Sequence, residues 1–196
     1  MLGNIDRVIL YFFNRDLANP VFDILFVTIS ESVFMFSLIA ILILIVAIKD
    51  GAKGRLVAIL AIVCFAITDP SAHYILKKLF CRLRPCYSLD DLRLIIGCGG
   101  LYGFPSNHAA NSFALAFIFS FFYRRLTAIF FLVATIVCLS RVYLGKHYLS
   151  DVVGGAIFGV LVAVFVLYFG RKPVQQLLKI RSFDSKGSMG GKIGNA

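Results

Sequence analysis

Charged residues are scarce in this chain, and acidic residues are the scarcest of them. Only 15% of the 196 residues are charged, whereas 60% are hydrophobic. An ordinary soluble domain has about a quarter charged residues and about half apolar ones. A soluble fold of this length could not bury so much apolar surface, which excludes soluble domains and disordered chains. The chain has five cysteines. They are too few for a disulfide-stabilised scaffold, and an odd number cannot all form pairs. The composition predicts an integral membrane protein.

The shortage of acidic residues leaves a strong positive excess. Ten Asp and Glu residues stand against twenty Lys and Arg residues, which gives a formal net charge of +10. In a soluble protein this excess would suggest a nucleic-acid partner. In a membrane protein it favours contact with anionic lipids, and no nucleic-acid partner is expected.

Five apolar stretches approach the roughly 20 residues that a helix needs to cross a bilayer. They are Val21–Ile48, Leu56–Leu76, Ala109–Tyr123, Leu126–Leu144 and Val152–Gly170. The last contains Gly155-x-x-x-Gly159, a spacing that lets two helices approach closely. The sequence therefore predicts an all-α integral membrane bundle with five transmembrane helices.

The first twenty residues predict a helix that lies in the membrane interface. Ile5, Val8, Ile9 and Phe12 recur at helical spacing, with polar residues such as Asn14 largely opposite. A sixth, slanted span is the alternative. The domain division is then 1–20 for the interfacial helix, 21–170 for the transmembrane domain and 171–196 for a basic, disordered tail rich in Gly and Ser.

Polar side chains gather at one end of the predicted bundle, next to the long segment Phe80–Gly103. They are Lys77, Arg84, Ser106, Asn107, His108, Arg141, His147 and Asp151. Ionisable groups at membrane depth are costly and usually mark function. Two histidines, three cations and a carboxylate on one rim suit a phosphate ester, whose negative charge must be neutralised before a nucleophile can approach.

Five of these residues are predicted to bind phosphate. Lys77 supplies a point charge, and the planar guanidinium groups of Arg84 and Arg141 each match two phosphate oxygens. Ser106 and Asn107 stand at a predicted helix start, where free backbone N–H groups and the helix dipole favour an anion.

The other three residues are predicted to be catalytic. His147 and Asp151 are four residues apart on one helix face, so Asp151 can hold one ring nitrogen while the other attacks phosphorus. His108 then donates a proton to the leaving oxygen and afterwards activates water. A helix N-terminus disfavours a cationic histidine, so we expect His108 to be protonated mainly with phosphate bound.

The spacing of these residues resembles the three signature motifs of the type 2 phosphatidic acid phosphatases, a superfamily that includes vanadium haloperoxidases. The matching segments are Lys77-x6-Arg84-Pro85, Pro105-Ser106-Asn107-His108 and Ser140-Arg141-x5-His147-x3-Asp151. The resemblance implies a helical membrane phosphatase that needs no metal or other cofactor, forms a phosphohistidine on His147, and binds phosphate or vanadate. The sequence departs from the family pattern at Asn107, where the family usually has a glycine.

The resemblance also implies that the substrate is a lipid phosphate, with four candidates known in the family. The many cations near the motifs suit a head group with more than one phosphate, which favours lipid A carrying a 1-phosphate. Undecaprenyl diphosphate comes next, and phosphatidylglycerol phosphate and phosphatidic acid stay open. A non-enzymatic transporter is the alternative from another class, but it would need polar residues through the full depth of the bundle. The sequence leaves the oligomeric state open.

The basic residues of short loops predict which side faces the cytoplasm. With five spans, one side carries eleven of them, namely Lys49, Lys53, Arg55, Arg124, Arg125, Arg171, Lys172, Lys179, Arg181, Lys186 and Lys192. The other side carries nine, which fall to six if Lys77, Arg84 and Arg141 serve the phosphate. We therefore expect a cytoplasmic C-terminus and a polar rim on the outer face of a bacterial inner membrane.

Several polar residues outside the motifs have two interpretations each. Asp69 is either hydrogen-bonded inside the bundle, next to a kink at Pro70, or a partner of Lys77 or His73. One disulfide is allowed on the outer side, between Cys98 and either Cys86 or Cys81. Further cations on the outer side are predicted to contact the lipid surface, with head-group contact as the alternative: Lys78, Arg82, Arg93 and Lys146.

Overall fold

The computed structural model describes residues 2–178 as a helical bundle. The helices are α1 (Leu2–Tyr11), α2 (Pro20–Ser30), α3 (Ser32–Lys49), α4 (Gly51–Pro70), α5 (Pro85–Ser88), α6 (Asn107–Phe122), α7 (Thr127–Tyr143) and α8 (Leu149–Leu177). In place of strands, this part of the chain has one isolated bridge, between Leu83 and Tyr102. The predicted all-α class is confirmed.

Each of the five predicted spans coincides with helix. Within residues 2–178, three continuous helical segments have the length and apolarity to cross a membrane: Gly51–Phe80, which extends α4, Arg124–Tyr143 and Leu149–Leu177. The pair formed by α2 and α3 would be a fourth. The helix α6, with 16 residues, is shorter. The total of five spans stays a prediction.

The first predicted span is broken into two helices. Glu31 adopts an extended conformation between α2 and α3, and the two axes are bent by 60°. No glycine or proline marks the break. The carbonyl of Ser30 accepts a hydrogen bond from Arg141 Nη1 at 3.2 Å, so a contact distant in sequence takes the place of a helical one.

The helix α1 lies with its apolar face outward. Ile5 and Val8 are exposed, while Leu10 and Asn14 are completely buried. Asn14, which the sequence placed on the polar face, donates to the carbonyl of Tyr143 at 2.7 Å. The exposed apolar face suits lipid contact, and the interfacial position of α1 stays a prediction.

The outer segment between α4 and α6 is closed by a disulfide. Cys86 and Cys98 are bonded, and Cys81 is free and exposed. Of the two pairings that the sequence left open, Cys86–Cys98 is the one formed. The bridge lies in the segment that carries Arg84 and thereby limits its freedom.

The C-terminal helix is longer than the sequence indicated. α8 continues to Leu177, seven residues past the boundary at Gly170 and through Pro173. The cost of an interior proline is offset by packing, because Val174 and Leu178 lie against the apolar core. The rest of the predicted tail, 179–196, lies outside the described residues.

The apolar core lies between α4, α6 and α8, and two glycines set the distance between α6 and α8. A Cβ atom on Gly155 would lie 2.5 Å from the carbonyl oxygen of Ser106, and one on Gly159 would lie 2.0 Å from that of Ala110. The Gly155-x-x-x-Gly159 spacing therefore lets α6 and α8 come into close contact, and it fixes the first turn of α6 against α8.

Gly159→Ala is expected to destabilise the protein by about 2 kcal/mol and to lower its Tm by several degrees in detergent. Alanine favours helix, but its methyl group would collide with backbone, which cannot move aside cheaply. Gly170→Ala on the same helix is the matched control, since its Cβ would meet side-chain tips and no backbone: Leu60 at 3.2 Å and Val166 at 3.7 Å. Equal Tm values for the two variants would contradict the close-contact role of Gly159.

Candidate active site

A cavity of about 220 Å³ lies at the end of the bundle where the predicted polar residues gather. Six of those residues line it: Lys77, Arg84, Asn107, His108, Arg141 and His147. The other two, Ser106 and Asp151, are completely buried and belong to the first turns of the helices that border it. Residues spread over 75 positions of the sequence, 77–151, thus meet in one place.

His147 is buried and neutral. Its Nε2 lies 2.9 Å from Arg84 Nη1. Because a guanidinium can only donate, Nε2 carries the lone pair and the ring proton sits on Nδ1. Burial, followed by the positive charges of Arg84 and Arg141, holds the pKa of His147 well below its usual range. The ring is therefore ready to act as a nucleophile at Nε2.

Asp151 approaches the other ring nitrogen from the first turn of α8. Its Oδ2 lies 3.6 Å from His147 Nδ1, which is close for a charge but too long for a hydrogen bond. The same oxygen accepts a hydrogen bond from the backbone N–H of Tyr148 at 3.0 Å. The carboxylate is therefore fixed by the start of its own helix. The predicted helix face shared by the two residues is wrong, because the helix begins at Leu149 and His147 precedes it, although the two side chains do lie side by side.

Arg82 is a contact of Asp151 that the sequence did not reveal. Its Nη1 donates to Asp151 Oδ1 at 2.7 Å, and its Nη2 donates to Asp6 Oδ2 at 2.7 Å. Arg93 is likewise paired, with Asp23, and the lipid-surface interpretation of Arg82 and Arg93 stays a prediction. No local signal could have shown these pairs, because the partners are about 70 residues apart.

Arg141 and His108 lie next to Ser30, at the break between α2 and α3. Arg141 is buried, and its Nη1 donates to both the carbonyl and the hydroxyl oxygen of Ser30. The His108 ring faces the same Ser30 backbone. The corner between α2 and α3 is therefore part of the wall around the site.

Carbonyl groups of the outer segment hold the other two cations. Lys77 Nζ donates to the Tyr102 carbonyl at 3.4 Å, and Arg84 Nε donates to the Gly100 carbonyl at 2.6 Å. Both side chains are buried. Their charges are balanced only partly by these dipoles, so the cavity suits an anion.

The start of α6 carries Ser106 and Asn107. The Ser106 N–H donates to the Asp151 backbone carbonyl at 3.0 Å. The Asn107 side chain donates to Asp69 Oδ1 at 2.9 Å, and that of Asn111 donates to the same oxygen at 2.8 Å. Asp69 is therefore hydrogen-bonded inside the bundle, the first of its two interpretations. Since the Asn107 amide group is occupied by Asp69, its backbone N–H is the group left for an anion.

Known proteins are similar to this chain in sequence and in fold. Residues 54–174 match the PAP2 superfamily. The chain is 35% identical to the lipid A 4'-phosphatase of Bacteroides thetaiotaomicron over 166 residues, which cover 81% of this chain and 73% of that protein. Aquifex aeolicus LpxE, a crystal structure, superposes with a TM-score of 0.64 at 26% identity, covering 82% of this chain and 93% of that one.

The transmembrane PAP2-type phosphatidylglycerolphosphate phosphatase from Bacillus subtilis has the same fold, with a TM-score of 0.64. Its identity is 23%, over 87% of this chain and 86% of that one. The helices, the family match and the relatives agree with the resemblance seen in the three motifs. The protein is a multi-pass bacterial membrane protein and a lipid phosphatase, and the chain belongs to the PAP2 superfamily.

Proposed function

We propose that the chain hydrolyses its lipid phosphate through a phosphohistidine on His147, without a metal ion. The contact that supports this most directly is the 2.9 Å hydrogen bond from Arg84 to His147 Nε2. A phosphate that enters the cavity accepts hydrogen bonds from the Arg84 guanidinium in place of His147 Nε2. Phosphorus then lies next to the Nε2 lone pair.

In the first step, the Nε2 lone pair of His147 attacks phosphorus, the bond from phosphorus to the ester oxygen breaks, and His108 gives that oxygen its proton. The positive charge that forms on the His147 ring is stabilised by Asp151, which faces the Nδ1 proton. In the second step, His108 takes a proton from water while the water oxygen attacks phosphorus. The phosphorus–nitrogen bond breaks, and inorganic phosphate leaves.

The cations of the cavity supply the electrostatic part of catalysis. Lys77, Arg84 and Arg141 surround the three equatorial oxygens of the transferring phosphoryl group, where charge is spread in the transition state. The backbone N–H group of Asn107, at the start of α6, adds the helix dipole. These groups provide the positive charge that metal ions supply in other phosphatases.

Phosphate release by detergent-purified protein is expected to survive EDTA and to be inhibited competitively by vanadate. Vanadate carries a negative charge like phosphate, and its vanadium adopts the trigonal-bipyramidal geometry of the phosphoryl-transfer transition state. The same cations should therefore bind it. An absolute requirement for added magnesium, or indifference to vanadate, would contradict the proposal.

For the substrate we propose lipid A, with the 1-phosphate as the group removed. The relative named lipid A 4'-phosphatase supports lipid A, and its name favours the 4'-phosphate as a second candidate. Mass spectrometry of lipid A after incubation, with fragmentation to locate the lost phosphate, distinguishes the two positions. Phosphate release from phosphatidic acid, phosphatidylglycerol phosphate or undecaprenyl diphosphate at a far higher rate would overturn this choice.

We also propose that the site opens on the outer face of the inner membrane, with α1 in the interface and the C-terminus in the cytoplasm. The excess of eleven basic residues on one side over six on the other supports this orientation. The free thiol of Cys81 lies exposed at the same end as the cavity. The other two free cysteines are buried.

A membrane-impermeant maleimide is expected to label Cys81 in intact spheroplasts, and Cys81→Ser is expected to remove the label. The matched probe is Lys49→Cys in the Cys81→Ser protein, because Lys49 is exposed at the opposite end of the bundle. It should react only after permeabilisation. The reverse pattern would place the cavity on the cytoplasmic side.

A further inference from the structure

The polar cavity contains a cluster of hydrogen-bonding side chains that the proposed mechanism does not use. Asp69 Oδ1 accepts a hydrogen bond from Asn107 Nδ2 at 2.9 Å and another from Asn111 Nδ2 at 2.8 Å. All three residues line the cavity, together with the cations proposed to bind phosphate. Asp69 lies near the end of α4 and both asparagines belong to α6, so the cluster joins these two helices.

The Asp69 carboxylate fixes the orientation of the two amide groups. A carboxylate can only accept hydrogen bonds, so each asparagine turns its NH2 group toward Asp69 and its oxygen away from it. Asn107 Oδ1 and Asn111 Oδ1 are both buried and have no hydrogen-bond partner within residues 2–178. The Asn111 residue as a whole is only 8% exposed. The cluster therefore brings two unpaired acceptors to the cavity wall.

A purely structural role accounts for only half of each amide group. The connection between α4 and α6 uses the N–H groups of Asn107 and Asn111, and it leaves their oxygens without a function. A buried oxygen without a partner costs free energy, and in native proteins such an atom usually accepts a hydrogen bond from water or from a ligand. Two such oxygens on the wall of a substrate cavity indicate a ligand that donates hydrogen bonds.

The charges of the cavity define the chemistry of that ligand. The carboxylate of Asp69 is negative and disfavours a second phosphate at this wall, and a hydrocarbon would leave the two amide oxygens unpaired. A neutral donor, a hydroxyl or an amide N–H group, satisfies both conditions. Asn107 directly precedes His108, the proposed proton donor to the ester oxygen, and Asn111 lies about 6 Å further along α6. The donor group therefore belongs to the alcohol part of the substrate, close to the ester bond.

We propose that Asp69, Asn107 and Asn111 form a head-group subsite, which accepts a hydrogen bond from a hydroxyl or amide N–H group next to the phosphate ester. The proposal rests on the function proposed above and deepens it. The bound donor holds the alcohol part of the substrate, and this positions the ester bond between His147 and His108. The subsite selects phosphate esters of sugars and polyols over those of alcohols that have no second polar group.

The test compares two lipid phosphates that differ by one hydroxyl group, namely 1-O-hexadecylglycerol 3-phosphate and 3-(hexadecyloxy)propyl phosphate. A second pair, 2-(hexadecanoylamino)ethyl phosphate and 2-(hexadecanoyloxy)ethyl phosphate, differs by an amide N–H group. The detergent-purified protein is expected to show a kcat/KM about tenfold higher for the donor-bearing member of at least one pair. A preference in the first pair identifies a hydroxyl as the ligand, and one in the second pair identifies an amide N–H.

Two variants locate the preference in the cluster. Asn111→Leu keeps a side chain of similar size without its hydrogen bonds, so the preference is expected to fall below about twofold. Asn107→Gly should also lower the preference, and it retains the backbone N–H group that faces the phosphate. Ser120→Ala is the matched control, because Ser120 is another buried polar residue of α6, with an unpaired hydroxyl, that does not line the cavity. It should keep the full preference.

The preference is a ratio of two kcat/KM values, so a variant that only loosens the packing of α4 against α6 lowers both values and leaves the ratio unchanged. Equal values within both pairs for the wild-type protein, or a preference that survives in Asn111→Leu and Asn107→Gly, would overturn the subsite. If Asn111→Leu fails to fold, as judged by its Tm and elution volume, the wild-type protein and Asn107→Gly decide the question. A wild-type protein that hydrolyses none of the four esters would instead overturn the proposed function, and the subsite with it.

Discussion

His147→Ala is expected to lower phosphate release by about 10⁴-fold or more, because it removes the proposed nucleophile. The bundle should stay folded. Arg84, which loses His147 as a partner, keeps its hydrogen bonds to the carbonyls of Gly100 and Lys146. The measurements are phosphate release, the Tm and the elution volume of the protein–detergent complex.

The covalent intermediate gives a sharper readout than rate alone. With p-nitrophenyl phosphate, whose leaving group needs no proton, His108→Ala should still form the phosphohistidine but hydrolyse it slowly. An acid-labile phosphoenzyme should therefore accumulate in His108→Ala and be absent from His147→Ala. A phosphoenzyme in folded His147→Ala protein would place the nucleophile elsewhere.

The positions of the helices and of most site residues could be predicted because they depend on local patterns. Apolar runs marked each of the five predicted spans. His147 and Asp151 were expected side by side on one helix face; they do lie side by side, but His147 precedes the helix that carries Asp151. The three motifs predicted that the remaining site residues lie together, because residues at the ends of adjacent helices meet when the helices pack.

Contacts between distant segments could not be predicted. The break at Glu31 has no sequence signal, and it depends on a hydrogen bond from Arg141 to Ser30. Arg82 was assigned to the lipid surface because it is a cation on the outer side that belongs to none of the three motifs. Its partners, Asp6 and Asp151, come from opposite ends of the chain.

The Arg82 contacts also give α1 a part in the site. Asp6 accepts the backbone N–H of Ser150 at 2.9 Å, one residue before Asp151, and it shares Arg82 with Asp151. The first helix thus holds the beginning of α8. The carboxylate that faces His147 is oriented by two residues that do not line the cavity, namely Arg82 and Asp6.

Asp151→Asn is expected to lower kcat by about 10²–10³-fold with little change in KM. Asp151 does not line the cavity, so substrate binding should be nearly unaffected. The loss falls on the attack, because the amide cannot stabilise the positive charge that develops on the His147 ring. The expected factor is below that of a hydrogen-bonded catalytic carboxylate, since the two groups are 3.6 Å apart.

Asp6→Asn is the matched control for this prediction. It removes the other carboxylate that pairs with Arg82 and leaves Asp151 beside His147, so a loss in kcat of less than about tenfold is expected. Steady-state kinetics of the two variants, each with its Tm, separates the roles. If Asp6→Asn lowers kcat as strongly as Asp151→Asn, then the position of Arg82 and α8, rather than the charge beside His147, is what catalysis requires from Asp151.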